Sequence, residues 1–482
     1  MFFNSLSFAI FLPVVFVLYW FVTNKSLKLQ NLLLLLASYF FYACWDWRFM
    51  FLLMFSTLLD YFTGLKMEDT QTKKGKRFWL WLSIIVNLGF LGVFKYYNFF
   101  ADSFAEAVSH IGWQVSPLMI KVILPVGISF YTFHGLSYVI DVYNSKVKAE
   151  RNVVDYAVFV SFFPLLVAGP IERATHLLPQ IKRERTFEYG KAVDGMRQIL
   201  WGLFKKIVIA DNCAEFADQI FNNSADMGGS TLVVGAVFFA FQIYCDFSGY
   251  SDIALGTARL FGIDLLRNFA FPYFSRDIAE FWRRWHISLS SWFRDYLYIP
   301  LGGSKGGNWM SARNIFIIFI VSGFWHGANW TFIIWGFLNA LFIMPSIIIK
   351  TNRNNMEIVA KGNLFPGAKE FFQIVATFAL TVFAWIFFRA ESVGHAFNYI
   401  SGIFTSSFFS LPHFSGMGRA YVIVILVFFF ILIEWLGREE QFAIAKLGLK
   451  WKPLARYAMY YAIIIAIFWF QGKEKQFIYF QF

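Results

Sequence analysis

The chain of 482 residues is far more apolar than a soluble protein. Hydrophobic residues make up 58% of it and charged residues only 15%, against roughly 25% charged residues in soluble domains. A soluble core of this length could not bury so much apolar surface, so we expect an integral membrane protein. The net charge of +12 does not predict nucleic-acid binding, because the basic residues lie in short segments between apolar stretches, where they orient the chain in a membrane.

Apolar stretches recur along the whole chain. A membrane-spanning helix needs about 20 mostly apolar residues. In chain order the candidates are 6–22, 27–45, 49–65, 78–99, 122–142, 153–168, 232–245, 315–325, 330–349, 371–388, 421–436 and 457–470. We therefore predict an all-α polytopic membrane protein with ten to twelve transmembrane helices. Stretches that are short or contain Gly and Pro predict re-entrant or broken helices.

The charges of three loops predict an orientation. Residues 66–77 carry five lysines and arginines, residues 101–117 carry none, and residues 146–151 carry three. Because basic loops stay in the cytoplasm, the first and third loops are predicted to be cytoplasmic and the amino terminus to lie outside. We treat residues 1–482 as one membrane domain, with N-terminal helices in 1–150, a catalytic core in 151–350 and C-terminal helices in 351–482.

One stretch in the middle of the chain, 276–298, is amphipathic rather than uniformly apolar. Its apolar residues recur at the spacing of one helix face, while Arg283 and Arg284 fall on other faces. The pattern predicts a continuous helix that lies along the membrane interface or covers a polar cavity. The residues on its apolar face are Trp282, Trp285, His286, Leu289 and Phe293.

Two histidines are candidates for chemistry. His326 lies within a long apolar stretch, where an ionisable group is costly and marks a functional site by default. Imidazole also exchanges a proton near neutral pH, as a general base must, and Gly327 would let a substrate approach the backbone. His286 is the titratable residue on the amphipathic stripe. Both histidines could instead be hydrogen-bonded structural residues, and Arg283 and Arg284 suit either phosphate contact or lipid anchoring.

A polar cluster, 242–252, follows an apolar run. Asp246 in this position suggests the mouth of a pocket, with Gly249 giving a break in the helix. Ser251 or Asp252, just before Ile253, is a reasonable helix N-cap. The role of Asp246 stays open between orienting a histidine and binding a substrate. The three cysteines have no metal-ligand spacing, so no metal site is predicted.

Two blocks of sequence resemble the paired signature of membrane-bound O-acyltransferases. They are 281–303, which reads FWRRWHISLSSWFRDYLYIPLGG and contains His286, and 324–330, which reads FWHGANW and contains His326. Residues 162–173, 244–254 and 477–482 resemble the alginate-type branch of that family. The resemblance implies a ring of helices around a central tunnel, with His326 as the catalytic residue and His286 as the second residue of the pair.

The resemblance also implies the reaction. We expect an O-acyltransferase of a bacterial cytoplasmic (inner) membrane that moves an acetyl group from a cytoplasmic thioester, acetyl-CoA or another, to an exported hydroxyl. No tightly bound cofactor is expected. The implied partners are membrane lipid and a polysaccharide or an exported SGNH-type acetyltransferase that passes the group on. The residues expected to bind substrate are Trp285, Arg283, Arg284, Trp325, Asp246, Ser248 and Tyr250.

Two alternatives stay open. The acceptor could be peptidoglycan or another wall polymer, because acceptor choice lies in exposed loops or in the partner. A function from another class is a secondary transporter with His326 and Asp246 as a proton relay.

Overall fold

The structure, a computed structural model, describes residues 1–120, 124–167, 169–472 and 475–480. Over these ranges the regular secondary structure is helical, without β-strands. The chain divides into two compact units. The all-α prediction is confirmed, while the predicted division at residues 150 and 350 stays a prediction.

The first unit comprises residues 1–192 and 257–266. In it, a long helix α2 (Leu27–Asp69) packs against α3 (Lys73–Leu91), α5 (Ile128–Tyr143) and α6 (Val153–Ser161). The carboxylate of Asp60 on α2 accepts hydrogen bonds from Ser83 Oγ at 2.6 Å and Asn87 Nδ2 at 2.8 Å on α3, a polar tie between apolar helices. Its helices are α1 (Leu6–Val17), α2 (Leu27–Asp69), α3 (Lys73–Leu91), α4 (Tyr97–Ser109), α5 (Ile128–Tyr143), α6 (Val153–Ser161), α7 (Phe163–Leu166) and α8 (Ala174–Lys182).

Several helix bounds in this unit differ from the predicted ones. The candidates 27–45 and 49–65 form the single helix α2, which is kinked at Asp46 (φ −154°, ψ 111°). The candidate 153–168 is divided at Phe162 into α6 and α7, and its last residue lies outside the described residues. The start of the candidate 122–142 also lies outside them, and the rest corresponds to α5.

The second unit comprises residues 193–256 and 267–482. A π-helical stretch, Phe204–Ala210, joins its first two helices. The helices are α9 (Tyr189–Leu203), α10 (Asp211–Asn222), α11 (Gly229–Leu260), α12 (Ile278–Arg284), α13 (Ile287–Phe293), α14 (Gly307–His326), α15 (Trp330–Ile348), α16 (Ala368–Arg389), α17 (Val393–Ile403), α18 (Met417–Leu436) and α19 (Pro453–Trp469).

Six helices in the described part of the chain are long and apolar enough to cross a membrane. Large apolar side chains on them and on shorter helices are exposed, for example Phe372 at 70% and Phe468 at 73%. Such surface is stable only against lipid. The helix α11 differs, because 83% of its most apolar window is buried inside the protein. The chain is therefore a multi-pass membrane protein in which α11 is an internal helix.

Close backbone contact fixes α11 against α9. A Cβ atom added to Gly249 would lie 2.8 Å from the carbonyl oxygen of Gly202, and one added to Gly202 would lie 2.6 Å from that of Gly249. Only glycine allows such an approach. Gly249 therefore serves packing, and the helix break that we predicted there is wrong, since α11 continues to Leu260.

Candidate active site

His326 lies where α14 and α15 meet. It is the last residue of α14, Gly327 is extended, and α15 begins at Trp330. The two helices cross closely, since a Cβ atom added to Gly323 or Gly336 would lie 2.2 Å from a backbone oxygen of the other helix. A Cβ atom on Gly327 would lie 2.1 Å from the ring of Phe332. The glycine at 327 thus makes room for this ring, and the approach of a substrate to its backbone stays a prediction.

Aromatic rings surround His326. The side chain is buried, with 3% of its surface exposed. Ring centroids lie 4.9 Å away for Trp325, 5.1 Å for Trp335, and 5.4 Å for Phe388 and Tyr479. Such surroundings are poor in water, and electrostatic interactions within them are stronger than in solution.

His286 lies at a helix break rather than on a helix face. The helix α12 ends at Arg284 and α13 begins at Ile287. Between them, the backbone of His286 lies in the left-handed region (φ 44°, ψ 54°). The continuous amphipathic helix that we predicted over 276–298 is wrong, because the chain turns here. A residue other than glycine in this conformation costs roughly 1–2 kcal/mol, and such strain concentrates at functional sites.

Asn268 holds His286 in this conformation. Its Oδ1 atom accepts a hydrogen bond from Ser288 Oγ at 3.0 Å and lies 3.1 Å from His286 Nδ1, and its carbonyl oxygen accepts one from the Ile287 N–H at 2.9 Å. Because an amide oxygen only accepts, Nδ1 of His286 is assigned the proton. Burial disfavours the charged imidazole. The ring is therefore neutral, with its lone pair on Nε2.

Shared aromatic rings bring the two histidines into one site. Phe247 on α11 lies 4.7 Å from the ring of His286 and 4.7 Å from that of Tyr479, which also contacts His326. Trp325 lies 6.1 Å from His286 and 4.9 Å from His326. We call these three residues, Phe247, Trp325 and Tyr479, the aromatic wall. The two histidines, 40 positions apart in sequence, both contact this wall.

The other residues predicted to bind substrate near His286 contact partners outside this wall. Trp285 is buried and packs against Phe269 and Trp385, each with ring centroids 5.1 Å away. Arg283 donates hydrogen bonds to the carbonyl oxygens of residues 352 and 355. Arg284 forms an ion pair with Glu280 at 2.7 Å. Both arginines thus have partners within the chain, and their contact with substrate stays a prediction.

The polar residues of α11 also have internal partners. Asp246 forms an ion pair with Lys206 at 2.8 Å, Ser248 accepts a hydrogen bond from Lys205 at 3.0 Å, and the ring of Tyr250 packs against Phe477 at 4.6 Å. All three predicted substrate-binding side chains are buried. Their role in binding substrate stays a prediction, and their position indicates that they fix α11 beside the wall.

The prediction of a helix N-cap at Ser251 or Asp252 is wrong. Both lie inside α11, where no helix begins. Asp252 instead forms an ion pair with Lys205 at 2.6 Å and accepts a hydrogen bond from Gln198 Nε2 at 2.8 Å. The residues next to Asp252 in sequence are typical of a helix cap. Its carboxylate is instead stabilised inside the helix by a lysine 47 positions earlier.

Five residues of the site were missed: Asn268, Phe247, Tyr479, Trp335 and Phe388. Nothing near Asn268 in the sequence indicates that it contacts His286. Tyr479 belongs to the stretch 477–482 that carried part of the family resemblance, but no role was assigned to it. Its hydroxyl is buried and makes no hydrogen bond to the described residues.

A comparison with protein families bears on the function of this site. The model of the membrane-bound O-acyltransferase (MBOAT) family matches residues 148–388, a range that contains both histidines. This chain belongs to the MBOAT family. It is therefore an O-acyltransferase, and the resemblance of its two histidine blocks is confirmed.

Curated relatives of this MBOAT protein extend the match to most of its length. It is 40% identical over 415 residues to the probable alginate O-acetylase AlgI of Pseudomonas aeruginosa, covering 85% of this chain and 75% of the relative. It is 36% identical over 496 residues to that of Pseudomonas putida, covering 98% of each. To the peptidoglycan O-acetyltransferase of Helicobacter pylori it is 37% identical over 433 residues, covering 84% of this chain and 80% of the relative.

Proposed function

We propose that this MBOAT protein transfers an acetyl group from a cytoplasmic acyl thioester to an exported hydroxyl acceptor, for O-acetylation of an extracellular polysaccharide such as alginate. The observation that carries the proposal is the placement of His286 and His326 on one buried aromatic wall. The relatives named as alginate O-acetylases, which match most of the chain, support the acetyl group and the polysaccharide.

His326 acts as the general base in the proposed reaction. It takes the proton of the acceptor hydroxyl while the oxygen attacks the carbonyl carbon of the thioester. The new C–O bond forms, the C–S bond breaks, and the proton passes from the imidazole to the leaving thiolate. No covalent intermediate on the enzyme is needed.

His286 binds the acyl donor in this scheme. Holding the donor and stabilising the oxyanion are the two roles open to His286, and the contact with Asn268 favours the first. An oxyanion needs a hydrogen-bond donor, but the lone pair on Nε2 makes the neutral ring an acceptor. Donor thioesters such as acetyl-CoA carry amide N–H groups that can donate to this atom.

The dry surroundings of His326 serve the same chemistry. Water that reached the bound thioester would hydrolyse it, and the aromatic rings around His326 limit its access. The donor is consumed in each turnover, so the proposed reaction requires no tightly bound cofactor.

The proposed route of the substrates is a central tunnel among ten to twelve crossings. Residues 350–369 and 437–456 are rich in lysine and arginine, whereas residues 390–416 contain none. Because basic loops stay in the cytoplasm, this distribution of charge favours a cytoplasmic position for the first two segments and an outside position for the third. Asn329, three residues after His326, donates a hydrogen bond to the Glu391 carbonyl oxygen at 3.0 Å. The acceptor would therefore approach His326 from outside and the donor from the cytoplasm.

An exported SGNH-type acetyltransferase is the proposed partner that passes the acetyl group to the polysaccharide. The relatives are bacterial proteins, which supports a location in the bacterial inner membrane. A second candidate acceptor is peptidoglycan, because a relative with similar identity is named for it. Membership of an acyltransferase family favours the enzyme over the secondary transporter.

The test is a comparison of envelope polymers from cells with and without the gene. Alkali-labile acetate should be present on the exopolysaccharide only when the gene is present, and a copy with His326→Ala should not restore it. Loss of acetate from peptidoglycan instead would favour the second candidate. Unchanged acetate on every polymer would contradict the proposal.

A further inference from the structure

The residues 475–480, which we call the return segment, lie against the internal helix α11. Phe477 and Ile478 are almost completely buried, at 0% and 1% exposed. The ring of Phe477 packs against Phe247 at 5.8 Å and Tyr250 at 4.6 Å. The segment thus has the packing of core structure, although it is short and contains only a single helical turn, Ile478–Phe480.

Two hydrogen bonds attach the backbone of the return segment to charged side chains. The Ile478 N–H donates to Asp246 Oδ2 at 2.7 Å. The carbonyl oxygen of Lys475 accepts a hydrogen bond from Lys206 Nζ at 3.2 Å. Charged partners make such bonds stronger than those between neutral groups. The two contacts lie on either side of Phe477 and together set the position of the segment.

Lys206 connects these contacts to each other. Its Nζ atom lies 2.8 Å from Asp246 Oδ1 and 2.7 Å from Asp211 Oδ1. The side chains are buried, with 1%, 4% and 11% of their surfaces exposed for Lys206, Asp246 and Asp211. Removing the lysine would leave two buried carboxylates without their shared cation, and the Asp246 carboxylate would lose the group that orients it.

Tyr479 follows Ile478 directly, so these bonds determine where its ring lies. The ring is held between Phe247 and His326, at 4.7 Å and 5.4 Å. We propose that Lys206, acting through Asp246, is a positioning residue that clamps the return segment. The clamp thereby completes the aromatic wall beside His286 and His326. This inference rests on the proposed function, because the wall is needed only if His326 performs chemistry.

Lys205 provides a matched control. It is the neighbouring lysine in the same π-helical stretch, its side chain is 4% exposed, and it also forms an ion pair with a carboxylate of α11, that of Asp252 at 2.6 Å. Its described hydrogen bond goes to Ser248 on α11 and not to the return segment. Replacing either lysine with methionine removes a buried ion pair, but only one replacement removes the clamp.

The experiment measures exposure of the return segment directly. A parent protein carries Ile478→Cys as reporter and Cys44→Ser, since Cys44 is exposed while Cys213 and Cys245 are buried. Labelling of residue 478 by a maleimide in detergent should be slow in the parent. Lys206→Met should raise its rate about tenfold or more, because it removes the bond to the Lys475 carbonyl oxygen and the cation that orients Asp246, whereas Lys205→Met leaves both contacts of the return segment in place and should not. Lys206→Arg should restore slow labelling.

Acyl transfer, measured without the reporter, decides whether the clamp serves catalysis. Lys206→Met should lower kcat about tenfold to a hundredfold through misplacement of the wall, with the KM for the acyl thioester nearly unchanged, and Lys206→Arg should recover much of it. Unchanged labelling in Lys206→Met, or equal labelling in both methionine variants, would overturn the clamp. Faster labelling with unchanged kcat would overturn the positioning role. If the unmutated enzyme transfers no acetyl group, the proposed function fails, while the labelling rates still decide the clamp.

Discussion

His286 contributes to the site through both its side chain and its backbone. The left-handed conformation turns the chain between α12 and α13, and the bond to Asn268 leaves Nε2 as an acceptor. Asparagine tolerates this conformation better than most residues and also offers an acceptor oxygen. The position thus demands both properties, a left-handed conformation and an acceptor atom.

This demand leads to a prediction for two variants of His286. The change His286→Ala should lower kcat/KM for acyl transfer about tenfold, since one hydrogen bond to the donor is lost. His286→Asn should retain more activity than the alanine variant. Both are measured by acetyl transfer from a radiolabelled thioester. Equal activity of the alanine variant and the unchanged protein would show that this side chain does not bind the donor.

At the scale of elements, the crossing of α14 and α15 determines where His326 lies. The crossing depends on Gly323 and Gly336, each in backbone contact with the other helix. Without a hydrophobic driving force between helices in lipid, such close contact between small residues holds them together. The helix pair can therefore be tested without changing any residue of the aromatic wall.

The change Gly336→Ala should loosen this crossing. The added methyl group would lie 2.2 Å from the Phe319 carbonyl oxygen, and relief of such a clash costs roughly 1–3 kcal/mol. Thermal unfolding in detergent should shift to lower temperature, and acyl transfer should fall as His326 moves. The control is Gly418→Ala on α18, where an added Cβ meets no atom within 4 Å. If both variants behave alike, the crossing does not position His326.

The elements also show which features the sequence could predict. The long helices were predictable because about 20 consecutive apolar residues have few other stable arrangements. The break at His286 was not, because the apolar spacing continues across it and the turn is held by Asn268, 18 positions earlier. Asp252 was assigned to a cap for the same reason, since its partner Lys205 is distant in sequence. His326 was found because its apolar surroundings are local.

At the scale of the whole molecule, an internal helix carries charge in a protein that is otherwise adapted to lipid. The carboxylates of α11, Asp246 and Asp252, are each paired with a buried lysine. Unpaired charges are expensive at membrane depth, so the pairs allow a polar helix in this position. The same helix supplies Phe247 to the aromatic wall, which links the buried charges to the proposed reaction.

The proposed reaction requires that a thioester and an alcohol reach His326, in its water-poor surroundings, from opposite sides of the membrane. The most direct measurement uses proteoliposomes that contain the full chain, the proposed SGNH-type partner, radiolabelled acetyl-CoA and alginate oligosaccharides. Release of free thiol and transfer of label are followed for the unchanged protein, for His326→Ala, and for His413→Ala as a control, since His413 is an exposed histidine in a loop.

We predict that His326→Ala lowers transfer about 10²- to 10⁴-fold, the usual contribution of a general base, while His413→Ala retains it. A folded His326→Ala protein that transfers acetyl groups at the normal rate would contradict the role of His326 as the base. Label attached covalently to Cys213 or Cys245 would contradict direct transfer.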